Sequence, residues 1–230
     1  KFEAGLVTQA DLKSDKIIKE IIKNNSNHNV LSEESREEFN LMSEEFFCVD
    51  PLCGTVPYSN NLNSWGLTVS FFSGDKSVGA IACPGIDESI YCDEDNVYLN
   101  GEIYKPNIEF PEMIDMTLCL EIEQGKNWSK LFQKELSWVN NFSYINSFAS
   151  AVFPGLQIIK GNLPIMAIYK ISLEHVGGLI SIGEKLGLKS TDIFGNDLKT
   201  DNLINDVPDW FIFGWPKVHE ELINLINNKE

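Results

Sequence analysis

The chain has 230 residues, 43% of them hydrophobic and 11% aromatic. That is enough to bury a sizeable core in one large α/β domain or two tightly joined lobes, and it excludes a disordered segment. With 34 acidic residues against 18 basic ones the formal charge is −16, which excludes a nucleic-acid backbone or an anionic membrane as the main partner. No apolar run approaches the ~18 to 20 residues of a membrane span and no signal segment opens the numbered chain. The five cysteines (Cys48, Cys53, Cys83, Cys92, Cys119) contain no C-x-x-C pair, so neither a disulfide framework nor a zinc site is suggested; a reducing cytoplasm is the expected location.

In chain order, "VTQADLKSDKIIKEIIKNN" predicts a helix: Leu12, Ile17, Ile18, Ile21 and Ile22 recur at helical spacing, and Asp11 stands three residues after Thr8 as in a capping box. "NVLSEES" reads as a short strand ending at Glu33 and Glu34, followed by a polar loop. "FFCVDPLCGTVPYS" reads as a buried strand that delivers Asp50 to its end, where Pro51 and Gly54 force a change of direction. From 66 to 101, β-rich runs broken at "SGD", "PGID" and "DEDN" predict a meander of three or four hairpin strands.

A connector, "IEFPEM", then leads to a strand near 115–122, a helix near 128–138 and a strand near 143–149, with a lobe boundary expected near 110 (lobes 1–110 and 111–230). "IMAIYKISLEHVGG" reads as an apolar helix ended by Gly177 and Gly178, with "LISI" as the next strand. "DWFIFGW" reads as a buried strand. "PKVHEELINLINN" closes the chain as an amphipathic helix with Val218, Leu222, Ile223 and Ile226 on one face.

The order "VTQAD", "LSEES", "CVDPLCGT", a hairpin meander ending in "YLNG", and "HVGG" resembles the inositol monophosphatase superfamily over nearly the whole chain; the first two motifs look closest to its bisphosphate nucleotidase branch. The resemblance implies an α+β fold, a layered α-β-α-β-α sandwich. It also implies a Mg2+-dependent phosphomonoesterase scaffold acting on a small phosphorylated inositol, sugar or nucleotide, and a homodimer. Hard Mg2+ takes oxygen ligands, and paired ions can stabilise both the attacking and the leaving oxygens of an in-line displacement. Carried over by position, Glu33, Asp50 and the carbonyl of Leu52 are the first-metal ligands. Thr55 with Asp11 orients the attacking water, and Gly54 and Thr55 meet the substrate. Taken singly, each has a plainer reading: Asp11 as a capping acid, Glu33 as one of 34 acids, Gly54 as a turn former.

Two positions depart from the family's pattern. Where the family's turn reads D-P-[LI]-D-G-T, the last acid is Cys53; counting back from "HVGG", the aspartate of the W-D-x-A-A motif falls on Ile165. Isoleucine ligates no metal and a neutral thiol is a poor ligand for Mg2+, so the second metal site is expected to be lost, leaving one Mg2+ site at most. The glutamate before the family's A-G-G becomes His175, read as packing near a helix end, and "NSFAS" replaces the G-[ST]-[AS] substrate loop. A nucleophilic role for Cys53 is disfavoured, because a cysteine phosphatase loop needs an arginine and the chain's one arginine is Arg36. Only "KFEAGL" precedes the first helix, so either further residues come before it or the first layer is truncated. The expectation is a family scaffold with weak or no phosphatase activity in a binding or scaffold role; the alternative is an active Mg2+-dependent phosphatase.

Overall fold

The computed structural model describes residues 6–123, 125–131, 136–198, 200–205 and 207–227. Two sheets divide the chain. The first has seven strands in sequence order: β1 (Asn29–Ser32), β2 (Glu45–Cys53), β3 (Gly66–Ser73), β4 (Lys76–Cys83), β5 (Glu88–Cys92), β6 (Val97–Leu99) and β7 (Glu102–Ile103). Only β1 and β2 run parallel; the rest is the expected antiparallel meander, with five strands. The second sheet draws on β8 (Thr117–Glu121), β9 (Tyr144–Asn146), β10 (Ile165–Tyr169), β11 (Lys189–Thr191) and β12 (Trp210–Gly214), in the order β11-β12-β10-β8-β9.

Seven helices complete the described fold: α1 (Gln9–Asn25), α2 (Thr55–Ser59), α3 (Gly125–Leu131), α4 (Val152–Ile159), α5 (Leu173–Leu186), α6 (Thr200–Asn205) and α7 (Pro216–Asn227). α1 lies on β2, α4 and α5 touch strands of both sheets, and α7 packs on β12 through Val218, Leu222 and Ile226. Two mixed sheets with helices packed on and between them make the layered α-β-α-β-α sandwich. No helix of the described residues is long and apolar enough to cross a membrane.

Four sequence expectations are corrected. The helix near 128–138 is α3 followed by a 3-10 turn at Ser137–Asn141, with 132–135 outside the described residues. α4 arises where no helix was expected, from an apolar stretch whose Pro154 sits in the first turn, where its missing N–H costs nothing. "IMAIY" is not helical: it is the middle strand β10, paired to β8 on one side and β12 on the other, so every residue is buried and periodicity carries no signal. The helix instead begins after Ser172, runs through Gly177, Gly178 and "LISI", and stops at Gly187, whose φ of 83° is left-handed.

Gly177 and Gly178 therefore do not end a helix; they let one lie against a sheet. A Cβ on Gly178 would stand 2.2 Å from Thr68 Oγ1, and one on Gly177 2.5 Å from Ser70 Oγ. α5 is thus pressed onto β3 at backbone distance, and this contact fixes where its first turn points.

Candidate metal centre

The site is built by an irregularity in β2. Asp50 pairs with Thr68 and Cys53 with Gly66, so three steps along β2 match two along β3: one extra residue is inserted. Residues an odd number apart on a regular strand face opposite sides, and the extra residue cancels that alternation. Asp50 and Cys53 consequently share a face. Gly54 follows at φ 97°, a conformation glycine adopts freely, and starts α2.

Asp50 is fully buried. Its Oδ1 accepts the Leu52 N–H at 3.0 Å, and its Oδ2 lies 2.7 Å from His175 Nδ1. His175 occupies the first turn of α5, its side chain 22% exposed. The imidazole also faces Cys53, whose Sγ accepts the Ala151 N–H at 3.2 Å beside the Ser150 hydroxyl at 3.7 Å. Donor atoms of Asp50, Cys53 and His175 all lie within 4.8 Å of one another.

Glu33 follows directly on β1. The residue is exposed, and the charges of His175 and Asp50 act on its carboxyl. Desolvation, opposed by His175 and reinforced by Asp50, pushes that carboxyl up to about 8. Glu34 is raised too, first by burial and then by Asp11, Asp15 and Asp50. Burial opposes charge on His175, but Glu33 and Asp50, with hydrogen bonds to Asp50 and Cys53, outweigh it and hold the imidazole well above its usual value. Burial and Asp50 push the Cys53 thiol up to about 11.

Asp11 is the third residue of α1's capping box and joins α1 to α2. Its Oδ2 accepts the Thr8 N–H at 2.8 Å, and its Oδ1 accepts the Thr55 hydroxyl at 3.0 Å. Thr55 Oγ1 also lies 3.3 Å from the Leu52 carbonyl. Glu33, Asp50, Leu52, Asp11, Gly54 and Thr55 thus gather at the ends of β1, β2 and α1.

Ile165 does not join them. It lies in β10, wholly buried in the second hydrophobic cluster with Leu118 and Ile212, because the segment carrying it is a strand of the other sheet. His175 takes the place expected of it, and so is not packing at a helix end. The sequence signal was Ser172, an N-cap residue that makes "LEHVGG" a helix start. The loop before α4 was also missed. Glu121, buried at the end of β8, accepts from Ser147 Oγ at 2.8 Å and from the Ala149 N–H at 3.0 Å, and Ala149 sits at φ 51°. This loop presents the Ala151 N–H to Cys53.

Glu33, Glu34 and His175 all bind protons more tightly in the folded chain than in the unfolded one, so stability falls as pH rises. For Glu33 the loss runs from its ordinary range up to about 8; for His175 it continues above the usual imidazole value. Without metal, the melting temperature is expected to drop steadily from about pH 5 to about pH 8, less steeply in Glu33→Gln. A flat or rising profile in calorimetry would contradict this electrostatic picture.

The model of the inositol monophosphatase family matches residues 2–172. No curated protein sequence matches the chain. Among solved structures, an inositol monophosphatase from Thermotoga maritima superposes with a TM-score of 0.80 at 18% identity, covering 99% of this chain and 85% of that one. The extragenic suppressor protein suhB from Bartonella henselae gives 0.80 at 21% identity, covering 97% and 85%. An inositol monophosphatase from Anabaena (Nostoc) sp. gives 0.81 at 20%, covering 95% and 86%. At these identities the superpositions speak for the fold.

Proposed function

The chain belongs to the inositol monophosphatase family, and from that premise we propose that it is a member whose second magnesium site is lost, leaving weak or no phosphatase activity and a binding or scaffold role. One observation carries this reading: the group facing Asp50 and Cys53 is the His175 imidazole, 2.7 Å from Asp50 Oδ2. A hard cation there would need oxygens and would meet a nitrogen and a sulfur.

The first set of donors does fit Mg2+. Glu33, Asp50 and the Leu52 carbonyl all offer oxygen, and the Glu33 and Asp50 carboxyls lie near enough for each to act on the other's charge. When bound, that ion would supply Lewis-acid polarisation of a phosphate oxygen. Asp11, through Thr55 Oγ1, would hold and orient a water on the far side from the leaving group. Charge developing on the leaving oxygen has no second cation to receive it, and Arg36 is committed to Glu174 and the Ile204 carbonyl.

Hydrolysis of inositol monophosphates and adenosine bisphosphates by the purified protein in millimolar Mg2+ is therefore expected to stay near background. The second reading, an active Mg2+-dependent phosphatase of a small phosphorylated metabolite, is favoured by the Asp11–Thr55 hydrogen bond at 3.0 Å. Robust magnesium-dependent turnover would establish that reading in place of the first.

A further inference from the structure

We infer that Asp50, Cys53 and His175 form a site for one Zn2+ ion, so that the chain has exchanged a hard cation for a borderline one at the same place. The inference rests on the proposed loss of the second magnesium site. It needs a carboxylate oxygen, a thiol sulfur and an imidazole nitrogen converging from separate elements, and these three lie within 4.8 Å of one another. Zinc takes that mixture at about 2.0 Å for oxygen and nitrogen and about 2.3 Å for sulfur, which puts tetrahedral donors roughly 3.3–3.8 Å apart. The Asp50–His175 contact, at 2.7 Å, has to open by less than an ångström when an ion replaces the shared proton.

The surroundings position the three ligands, and the ion would take the place of the protons they hold. Cys53 Sγ already receives the Ala151 N–H at 3.2 Å and faces the Ser150 hydroxyl at 3.7 Å, contacts that orient the sulfur, and both groups stand at the amino end of the eight-residue α4. Asp50 is oriented by the Leu52 N–H on its other oxygen. The partly exposed edge of His175 leaves an entry path, and a water would complete the fourth position. No C-x-x-C pair announces the site because its ligands come from the end of β2 and the start of α5.

The test is calorimetric titration of the chelator-stripped full chain with Zn2+, in the presence and absence of millimolar Mg2+, with Co2+ as an optical probe for thiolate ligation. One Zn2+ per chain is expected, not displaced by Mg2+, with a thiolate-to-cobalt charge-transfer band. Cys53→Ser and His175→Gln should each weaken binding by about a hundredfold or more and Cys53→Ser should abolish the band. Cys92→Ser, outside the cluster, should change neither. Folding of each variant is read by circular dichroism, and the cobalt band in the wild-type chain keeps the test decisive should His175→Gln fail to fold. Absence of tight Zn2+ binding, or binding undiminished in folded Cys53→Ser, overturns the inference; with Mg2+ turnover also absent, the functional reading survives alone. Zinc held by Cys53 alongside vigorous magnesium-dependent hydrolysis supports the zinc site and overturns the functional reading instead.

Discussion

Cys53→Asp combined with His175→Asp is expected to create a second Mg2+ site and to raise phosphate-ester hydrolysis by about a hundredfold or more, the scale on which a missing group that stabilises charge in the transition state is felt. The two substitutions place oxygen ligands on either side of Asp50, which already shares its face of β2 with position 53 and approaches position 175 at 2.7 Å. Neither change alone should suffice. Cys53→Asp leaves the imidazole against Asp50, whereas His175→Asp removes the one cationic group of the cluster and adds a carboxylate beside Glu33 and Asp50. The double variant should therefore melt lower than wild type in chelator, through like-charge repulsion, and recover on adding Mg2+. An ion at a hundred times its dissociation constant adds about 2.7 kcal/mol of stability. The same double change should abolish zinc binding. A folded double variant indifferent to Mg2+ would mean that the loop from Ser147 to Ala151 has moved too far to leave room for the ion.

The second large effect is on stability. Gly178→Val is expected to destabilise the fold by about 3 kcal/mol or more, at the upper end of overpacking, because even its Cβ would stand 2.2 Å from Thr68 Oγ1 and 3.2 Å from the Ala80 carbonyl. In a chain of this size that corresponds to a melting temperature lower by roughly 6–12 °C. Thr68 is buried and its hydroxyl has no hydrogen-bond partner among the described residues, so Thr68→Ala should cost little by itself. Gly178→Ala should be substantially rescued by Thr68→Ala, since the second change vacates the space the first requires. Additive losses in that cycle would refute the close helix–sheet contact.

Much of the first half was legible because its signals are local. A capping box, alternating apolar residues and turn residues at "SGD" and "DEDN" each fix structure within a few positions, and they delivered α1, the meander and the turn at Gly54, although Asp50, expected at the end of its strand, lies inside β2, which runs on through Pro51 to Cys53. In the second half the decisive facts are tertiary. "IMAIY" is apolar on both faces because β10 is covered on both, and five such residues do not distinguish helix from strand. Gly177 and Gly178 look like a helix end until the strand they touch is known. That single misreading moved the helix by about two turns and replaced His175 with Ile165 in the candidate site. The extra residue in β2 was invisible for a related reason: pairing partners, unlike turn residues, are not written locally.

The inserted residue between Asp50 and Cys53 has one more consequence. It means that the backbone, by counting, decides which two side chains meet, whereas the identity of those side chains is left free. Removing one residue between them would restore strict alternation and still leave the two positions on one face, two steps apart, so what the extra residue supplies is the local bend and the Leu52 N–H that reaches Asp50. A point substitution leaves the address intact and changes only what is delivered to it. One chemistry can accordingly be exchanged for another at position 53 without renegotiating the architecture.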